Sequence, residues 1–262
     1  MAIHPSAIID PRAEIHPEAE IGPYVVIEGA VKIGRGTRVM AHAYLTGWTE
    51  IGEDNEIHPG AVLGHVPQDT AYRGERSYLK IGNHNVFREH VQVHRATGEG
   101  LSTVIGNHNF LMASSHVAHN CLLWDLITLV NGALLGGHVE VGSRAFLSGN
   151  CVVHQFVRIG ELSLMRGLSG ASRDVPPFSI VDWQHTVRGV NVVGLKRAGF
   201  SDRRIRQIKD SFGVLFRKGR NLSLAVQEVK SKGELSPDVE ALLEFIQSSK
   251  RGVSVGGLGL SG

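Results

Sequence analysis

The chain has 262 residues, of which 42% are apolar and 20% charged, a composition typical of a soluble globular protein with a sizeable core. The 27 basic and 25 acidic residues leave a net charge of +2, which argues against a general nucleic-acid binder. Two cysteines cannot cross-link a chain of this length, and the first twenty residues lack the basic start and apolar run of a secretory signal. No stretch approaches the roughly 18 consecutive apolar residues of a membrane span. We therefore expect a cytoplasmic protein without a membrane span.

Aliphatic residues recur every six positions through most of the first 171 residues. The phase runs unbroken over 3–63, resumes over 81–93 and resumes again over 105–171. Glycine often follows the aliphatic residue, and the fifth position of the hexad is usually small or β-branched. A six-residue period fits neither an α-helix nor an alternating strand, but it suits a short strand followed by a turn. Stacked coils of this kind bury a continuous apolar column, so the sequence predicts a parallel β-helix.

Two insertions interrupt the hexads, at 65–80 and at 96–104. Insertions in a repeat protein project from one face as loops, and that face is often the binding face. Tolerated surface loops without a function are the alternative.

The repeat stops after two consecutive prolines, and helical patterns replace it. Ser201 can cap one helix, a second is expected around 222–231, and Ser236 opens a third. The sequence therefore predicts a β-helix over 1–190, an α-helical region over 191–252 and a disordered tail over 253–262.

Basic residues are concentrated at the start of the helical region. Residues 196–220 hold nine basic and two acidic residues, so this segment carries +7 and the rest of the chain carries −5. Such an asymmetry favours an acidic partner or a phosphate-bearing ligand, although a solvated helix face would have the same composition.

Three histidines have a spacing that suits one site. His119 and His138 are nineteen residues apart, and His138 and His154 are sixteen apart, so all three could lie along one edge of a β-helix with eighteen-residue coils. Histidine has the free pKa nearest neutrality, which suits a general base. A zinc site built from these histidines is the rival interpretation. Cys121 is a candidate thiol nucleophile, but its position in the hexad is more typical of a small buried residue.

Five segments resemble one family of enzymes: SSHVAHNC at 114–121, GGHVEVG at 136–142, NCVVHQF at 150–156, SGASRDVPPF at 169–178 and GVNVVGLKRAGF at 189–200. The sequence resembles the UDP-N-acetylglucosamine O-acyltransferases that open lipid A biosynthesis. The resemblance implies a left-handed β-helix, a homotrimer and three active sites between adjacent subunits. It also implies transfer of an R-3-hydroxyacyl chain from acyl carrier protein to the sugar 3-hydroxyl. No resident cofactor is expected, because 4'-phosphopantetheine arrives on the carrier protein, which the basic segment would bind.

The resemblance also assigns roles to individual residues. His119 falls on the general base and the Gly137 N–H on the oxyanion donor, while Asn120 stands where a carboxylate usually follows the base. No metal ligand is implied. The positions that match substrate-binding residues are Asp69 in the acceptor loop, His116 and His138 beside the sugar and acyl groups, His154, Gln155, Asn191 and Arg197 on the nucleotide side, and Gly167 at the foot of the acyl pocket.

Departures from the family pattern leave the acceptor open. Ala71 replaces a lysine, Val193 a glutamate and Ala198 an arginine, all expected near the acceptor or its nucleotide. N-acylation of a 3-amino UDP-sugar, or O-acylation of another nucleotide sugar, is therefore an alternative. From other classes, the alternatives are a zinc-dependent β-helix hydratase and a non-catalytic trimeric scaffold that binds carrier protein.

Overall fold

The computed structural model describes residues 2–183, 185–216, 219, 221–231 and 233–256. Most strands contain only two residues, as the hexads require. The first ten are β1 Ala2–Ile3, β2 Ile8–Ile9, β3 Glu14–Ile15, β4 Glu20–Ile21, β5 Val26–Glu28, β6 Lys32–Ile33, β7 Arg38–Val39, β8 Tyr44–Thr46, β9 Trp48–Ile51 and β10 Glu56–Ile57. The next ten are β11 Val62–His65, β12 Tyr78–Ile81, β13 Val86–Phe87, β14 Gln92–His94, β15 Ser102–Ile105, β16 Phe110–Leu111, β17 His116–Val117, β18 Leu122–Leu123, β19 Thr128–Leu129 and β20 Leu134–Leu135. The last nine are β21 Glu140–Val141, β22 Phe146–Leu147, β23 Val152–Val153, β24 Arg158–Ile159, β25 Leu164–Met165, β26 Gly170–Ala171, β27 Ser179–Asp182, β28 Thr186–Val190 and β29 Val255–Gly256.

From β1 to β26 every third strand pairs in parallel, which produces a left-handed β-helix with three sheets. The first sheet begins with β1, β4 and β7, the second with β2, β5 and β8, and the third contains β3, β6 and β9. Ile21 pairs with Val39 and Val39 with Ile57, so an uninterrupted coil takes eighteen residues. From Ile21 onward the aliphatic residue of each hexad points inward and is buried, as at Leu63 and Leu111.

The corners between sheets use residues with positive φ at six-residue steps. Asn120 and His138 both have φ of 59°, and glycine takes the same place at Gly132 with φ of 67°. Backbone hydrogen bonds between coils hold these strained corners, as when the His138 N–H donates to the His119 carbonyl at 2.9 Å. The corner residues therefore stack at about 4.8 Å intervals along the prism.

The two insertions form loops that are shorter than predicted. Residues 78–80 and 102–104 are not loop but belong to β12 and β15, which pair with each other, and β12 also pairs with β9. Alternating side chains explain this, because Leu79 and Thr103 point inward and are fully buried. The remaining loops, 66–77 and 95–101, contact each other: the Gly98 N–H donates to the Glu75 carboxylate at 2.8 Å.

The C-terminal region contains four helices among the described residues: α1 Val192–Arg197, α2 Asp202–Leu215, α3 Leu222–Lys230 and α4 Pro237–Gln247. Ser201 caps α2 as expected, since its side chain accepts from the Arg204 N–H. Helix α1 was not predicted, because six residues with two valines and a glycine have little helix propensity of their own. The longest described helix, α2, has 14 residues, and none of the four could span a membrane.

The prediction of a disordered tail is wrong for residues 253–256. Val253 and Ser254 are buried, and the Ser254 N–H donates to the Asp174 carbonyl at 2.7 Å. Strand β29 then pairs with β28. The unused edge of the β27–β28 hairpin provides these backbone partners, which no local pattern in the tail reveals. Residues 257–262 of the predicted tail lie outside the described residues.

Candidate active site

The corner between the second and third sheets brings together the candidate catalytic residues. His119, then Gly137 and His138, then His154 and Gln155 occupy this corner on successive coils. The Phe156 N–H donates to the Gly137 carbonyl at 3.0 Å, which joins the second of these coils to the third. The eighteen-residue coil therefore places the three histidines along one edge.

The orientation of the His119 ring is fixed by Asn120. The His119 Nδ1 lies 2.8 Å from the Asn120 Oδ1. The amide cannot be turned over, because its Nδ2 donates to the Thr97 carbonyl at 3.0 Å while its Oδ1 accepts from the Thr97 N–H at 2.9 Å. An amide oxygen only accepts hydrogen bonds, so Nδ1 carries the proton. The lone pair of the neutral ring is therefore on Nε2.

Asp69 faces that nitrogen from the 66–77 loop. Its Oδ2 lies 3.7 Å from the His119 Nε2, and the two side chains are 22% and 12% exposed. The Ala71 N–H donates to the Asp69 carboxylate at 2.9 Å and is the main reason why the pKa of Asp69 lies below its ordinary value. His119 is thus flanked by an amide at Nδ1 and a carboxylate at Nε2.

Gly137 lies against the imidazole of His119. A Cβ at this position would be 2.5 Å from the His119 Nε2, so a side chain cannot be present without moving the ring. Among the described residues the Gly137 N–H has no hydrogen-bond acceptor. The same place in other hexads is often proline, as at Pro23 and Pro59, which shows that the β-helix does not use this N–H. The N–H can therefore bind an oxygen beside His119.

His138 packs between His119 and an aromatic ring. Its ring meets that of His119 edge to face, with centroids 5.3 Å apart, and stacks on Phe156 at 4.5 Å. Burial lowers the pKa of His138, and the neighbouring His119 lowers it further. A neutral His138 can donate or accept one hydrogen bond at each nitrogen, which suits a substrate-positioning role.

His116 belongs to a different group of rings. It lies on β17, on the outer face of the second sheet, and its ring centroid is 5.2 Å from that of His94. Burial, followed by the charge of His94, lowers the pKa of His116 to about 4. Within the part of the chain that the structure describes, no hydrogen bond or ring contact joins His116 to His119.

The expected nucleotide residues are not gathered in one place. His154 is exposed and its Nδ1 lies 3.4 Å from Arg251, while Gln155 is exposed beside it. Arg197 is exposed at the end of α1. Asn191 is 95% buried: its Oδ1 accepts from the Gly194 N–H at 3.0 Å and its Nδ2 donates to the Leu162 carbonyl at 2.8 Å. Both ends of its amide bind the backbone, so Asn191 caps α1, and its role on the nucleotide side stays a prediction.

Gly167 lies at another corner, between the first and second sheets, where it is exposed. A Cβ there would meet the Gly149 carbonyl at 3.5 Å, which is ordinary contact. The site therefore has space that a larger side chain would fill.

The alternative chemistries find less support. Cys121 is 1% exposed, and burial raises the pKa of its thiol to about 12, so it is not a nucleophile. No cluster of three or more histidine, cysteine or carboxylate side chains arranged to hold a metal ion is found in the described ranges.

Sequence reasoning missed three residues that shape the site: Thr97, which fixes the Asn120 amide, Phe156, which supports His138, and Arg251, which reaches His154 from the C-terminal segment. Thr97 is in the second insertion. The only available signal was that this insertion interrupts the hexads shortly before the one that contains Asn120. Nothing in the sequence pattern pointed to Arg251.

Family models match two parts of the chain. The model described as Udp N-acetylglucosamine O-acyltransferase, Domain 2, matches residues 174–254, and that of the bacterial transferase hexapeptide matches residues 30–65. Two curated relatives are named acyl-[acyl-carrier-protein]–UDP-N-acetylglucosamine O-acyltransferase. That of Syntrophobacter fumaroxidans is 46% identical over 97% of this chain and 99% of its own length. The relative from Thermodesulfovibrio yellowstonii is 46% identical over 96% of this chain and 98% of its own length.

Solved structures agree. The UDP-N-acetylglucosamine acyltransferase of Francisella novicida superposes with a TM-score of 0.92 at 34% identity, covering 99% of this chain and 98% of its own. The enzyme of Bacteroides fragilis superposes with a TM-score of 0.92 at 36% identity, covering 96% of this chain and 99% of its own. With relatives this similar over nearly the whole length, and with His119, Asn120 and Gly137 assembled at one corner, the chain belongs to the family of UDP-N-acetylglucosamine O-acyltransferases.

Proposed function

We propose that the protein transfers an R-3-hydroxyacyl chain from acyl carrier protein to the 3-hydroxyl of UDP-N-acetylglucosamine, the first step of lipid A biosynthesis. The observation that carries the proposal is the His119–Asn120 pair, which leaves the lone pair of Nε2 beside Gly137, a residue whose N–H has no acceptor in the part of the chain that the structure describes. General-base transfer of an acyl group needs a base and an oxyanion donor beside each other.

The bond changes follow from this arrangement. Nε2 of His119 takes the proton of the sugar hydroxyl as its oxygen attacks the thioester carbonyl carbon. The Gly137 N–H binds the oxyanion of the tetrahedral intermediate. When the C–S bond breaks, the imidazolium returns its proton to the thiolate of the carrier's 4'-phosphopantetheine. The products are the acyl sugar nucleotide and the free thiol, and the enzyme needs no resident cofactor.

Asp69 replaces the charge that Asn120 lacks. Asn120 orients the His119 ring but carries no charge to offset the imidazolium. The Asp69 carboxylate lies 3.7 Å from Nε2, where an acceptor hydroxyl would bind between the two groups. We infer that Asp69 both binds the acceptor and favours the protonated ring during transfer.

The assembly and location belong to the same proposal. We propose a cytoplasmic homotrimer in which a neighbouring subunit forms the second wall of the cleft. Exposed apolar side chains support this: Leu134 and Val152 lie side by side on the second sheet and Leu168 is exposed at the corner before it, and contiguous exposed apolar surface marks an interaction site. Carrier protein would bind the basic surface of α2, which presents Arg203 and Arg206 to solvent.

The test is turnover of an R-3-hydroxyacyl carrier protein with a panel of UDP-sugars. UDP-N-acetylglucosamine should be acylated, and His119→Ala should lower kcat by about 10²–10⁴-fold with the fold intact. His138→Ala should lose less and partly through KM. Acylation of a 3-amino UDP-sugar alone would replace the proposed acceptor. Turnover by His119→Ala at the wild-type rate would refute the assignment of the base.

A further inference from the structure

Arg95 is a buried cation beneath the loop that carries Asp69. Its side chain is 93% buried. None of the ion pairs found among the described residues includes Arg95. Burying a guanidinium without a carboxylate costs free energy, so its contacts must be worth that cost.

The side-chain hydrogen bonds of Arg95 and its contact with Tyr72 hold the chain at the base of the loop. The Arg95 Nη1 donates to the Gly64 carbonyl at 2.9 Å, and its Nη2 donates to the Tyr72 hydroxyl at 2.8 Å. The guanidinium carbon lies 5.5 Å from the ring centroid of Tyr72 and 5.8 Å from that of Trp48. Arg95 therefore fixes Tyr72 by both a charge-assisted hydrogen bond and a cation–π contact.

Tyr72 passes this constraint to Asp69. The Tyr72 hydroxyl donates to the Glu75 carbonyl at 3.1 Å, and the Tyr72 N–H donates to the Asp69 carbonyl at 3.1 Å. The neighbouring His94 holds the start of the loop, with its Nδ1 2.6 Å from the Val66 carbonyl. The loop is thus tied at its start and at Tyr72, and the carboxylate of Asp69 lies beside His119 as a result.

We propose that Arg95 is a positioning residue for the acyl acceptor: through Tyr72 it holds the 66–77 loop where Asp69 faces the Nε2 of His119. Arg95 itself touches neither His119 nor Asp69 in the described contacts. The choice of acceptor rests on the proposed function, whereas the ordering of the loop does not.

Three variants test the proposal. Arg95→Lys keeps the charge but loses the planar fork that reaches Gly64 and Tyr72 together. Tyr72→Phe removes only the hydroxyl and keeps the ring. The double variant measures whether the two changes share one effect. Arg12→Lys is the matched control. Arg12 and Arg95 line one cavity of about 320 Å³, but Arg12 is paired with Asp10 at 2.7 Å and makes no hydrogen bond to the loop.

Amide hydrogen exchange is the first measurement and needs no substrate. We expect faster exchange over 66–77 in Arg95→Lys and in Tyr72→Phe, with wild-type exchange in β11 and β12 and in the Arg12→Lys control. Unchanged exchange in the loop would overturn the proposal. If Arg95→Lys does not fold, Tyr72→Phe decides the question alone.

Steady-state kinetics is the second measurement. In Arg95→Lys and Tyr72→Phe, the KM for the nucleotide sugar should rise about tenfold or more, which corresponds to the loss of a hydrogen bond to a charged group. The KM for acyl carrier protein should stay unchanged. The double variant should be no worse than the more severe single variant. A lower Tm with both KM values unchanged would make Arg95 merely structural. A wild-type enzyme that does not acylate UDP-N-acetylglucosamine would refute the proposed function and leave the exchange result standing.

Discussion

Gly137→Ala should displace the base, His119, while it leaves the oxyanion donor in place. The new Cβ would lie 2.5 Å from Nε2 and 2.6 Å from Cε1 of His119. Ordinary carbon contacts begin near 3.5 Å, so the imidazole must retreat by about 1 Å. The alanine itself is not strained, because Gly137 is absent from the residues with positive φ. The N–H of residue 137 also remains.

The retreat moves Nε2 away from the acceptor and strains the 2.8 Å contact of Nδ1 with Asn120. A displacement of about 1 Å can cost about 10²-fold in rate, so kcat should fall by at least about that factor. The assay is acyl transfer from carrier protein to UDP-N-acetylglucosamine, with circular dichroism and sedimentation to check the fold. Gly213→Ala is the control, because no atom lies within 4 Å of a Cβ placed at that exposed helix position. Wild-type turnover by Gly137→Ala would refute the contact between Gly137 and the base.

Three further predictions concern stability and titration. Burial raises the pKa of both Cys121 and Cys151, so neither thiol should react with iodoacetamide at pH 8 until the protein is unfolded. Rapid labelling of the native protein would contradict the burial of the thiols. The pKa of His116 is lowered to about 4 in the folded state, so its contribution to stability is present above the unfolded value near 6.5 and is lost as pH falls through 4. In urea titrations, His116→Asn should flatten the dependence of the free energy of unfolding on pH over this range. An unchanged dependence on pH would count against the lowered pKa. Asn85 accepts from the buried Asn109 N–H at 2.9 Å and donates two hydrogen bonds, so Asn85→Ala should destabilise the protein by about 3–5 kcal/mol in calorimetry. A loss below about 1 kcal/mol would show that these three hydrogen bonds contribute little.

The amino-acid sequence by itself determined the β-helix. Whether a side chain points inward is decided locally, because it depends on the place of the residue within its hexad and not on partners far away in the sequence. The same regularity placed His119, His138 and His154 at one edge, because eighteen-residue coils convert sequence spacing into stacking. Local capping chemistry likewise located the start of α2 at Ser201.

Only the tertiary structure decided what surrounds the base. The 3.7 Å approach of Asp69 to His119 depends on an insertion whose path follows no hexad. The orientation of the Asn120 amide depends on Thr97, which comes from the other insertion. Periodicity carries no information about such segments, because their positions are set by contacts between residues far apart in the chain.

The C-terminal region shows the same division. Helical spacing and Ser236 predicted α4, but not that the side chain of Asn191 would be buried against the backbone of α1 and of Leu162. A short polar motif looks the same whether its amide binds a nucleotide or caps a helix. Pairing of Val255 with Thr186 is equally invisible in the sequence, because a two-residue strand has no pattern of its own and forms only where another strand already offers an open edge.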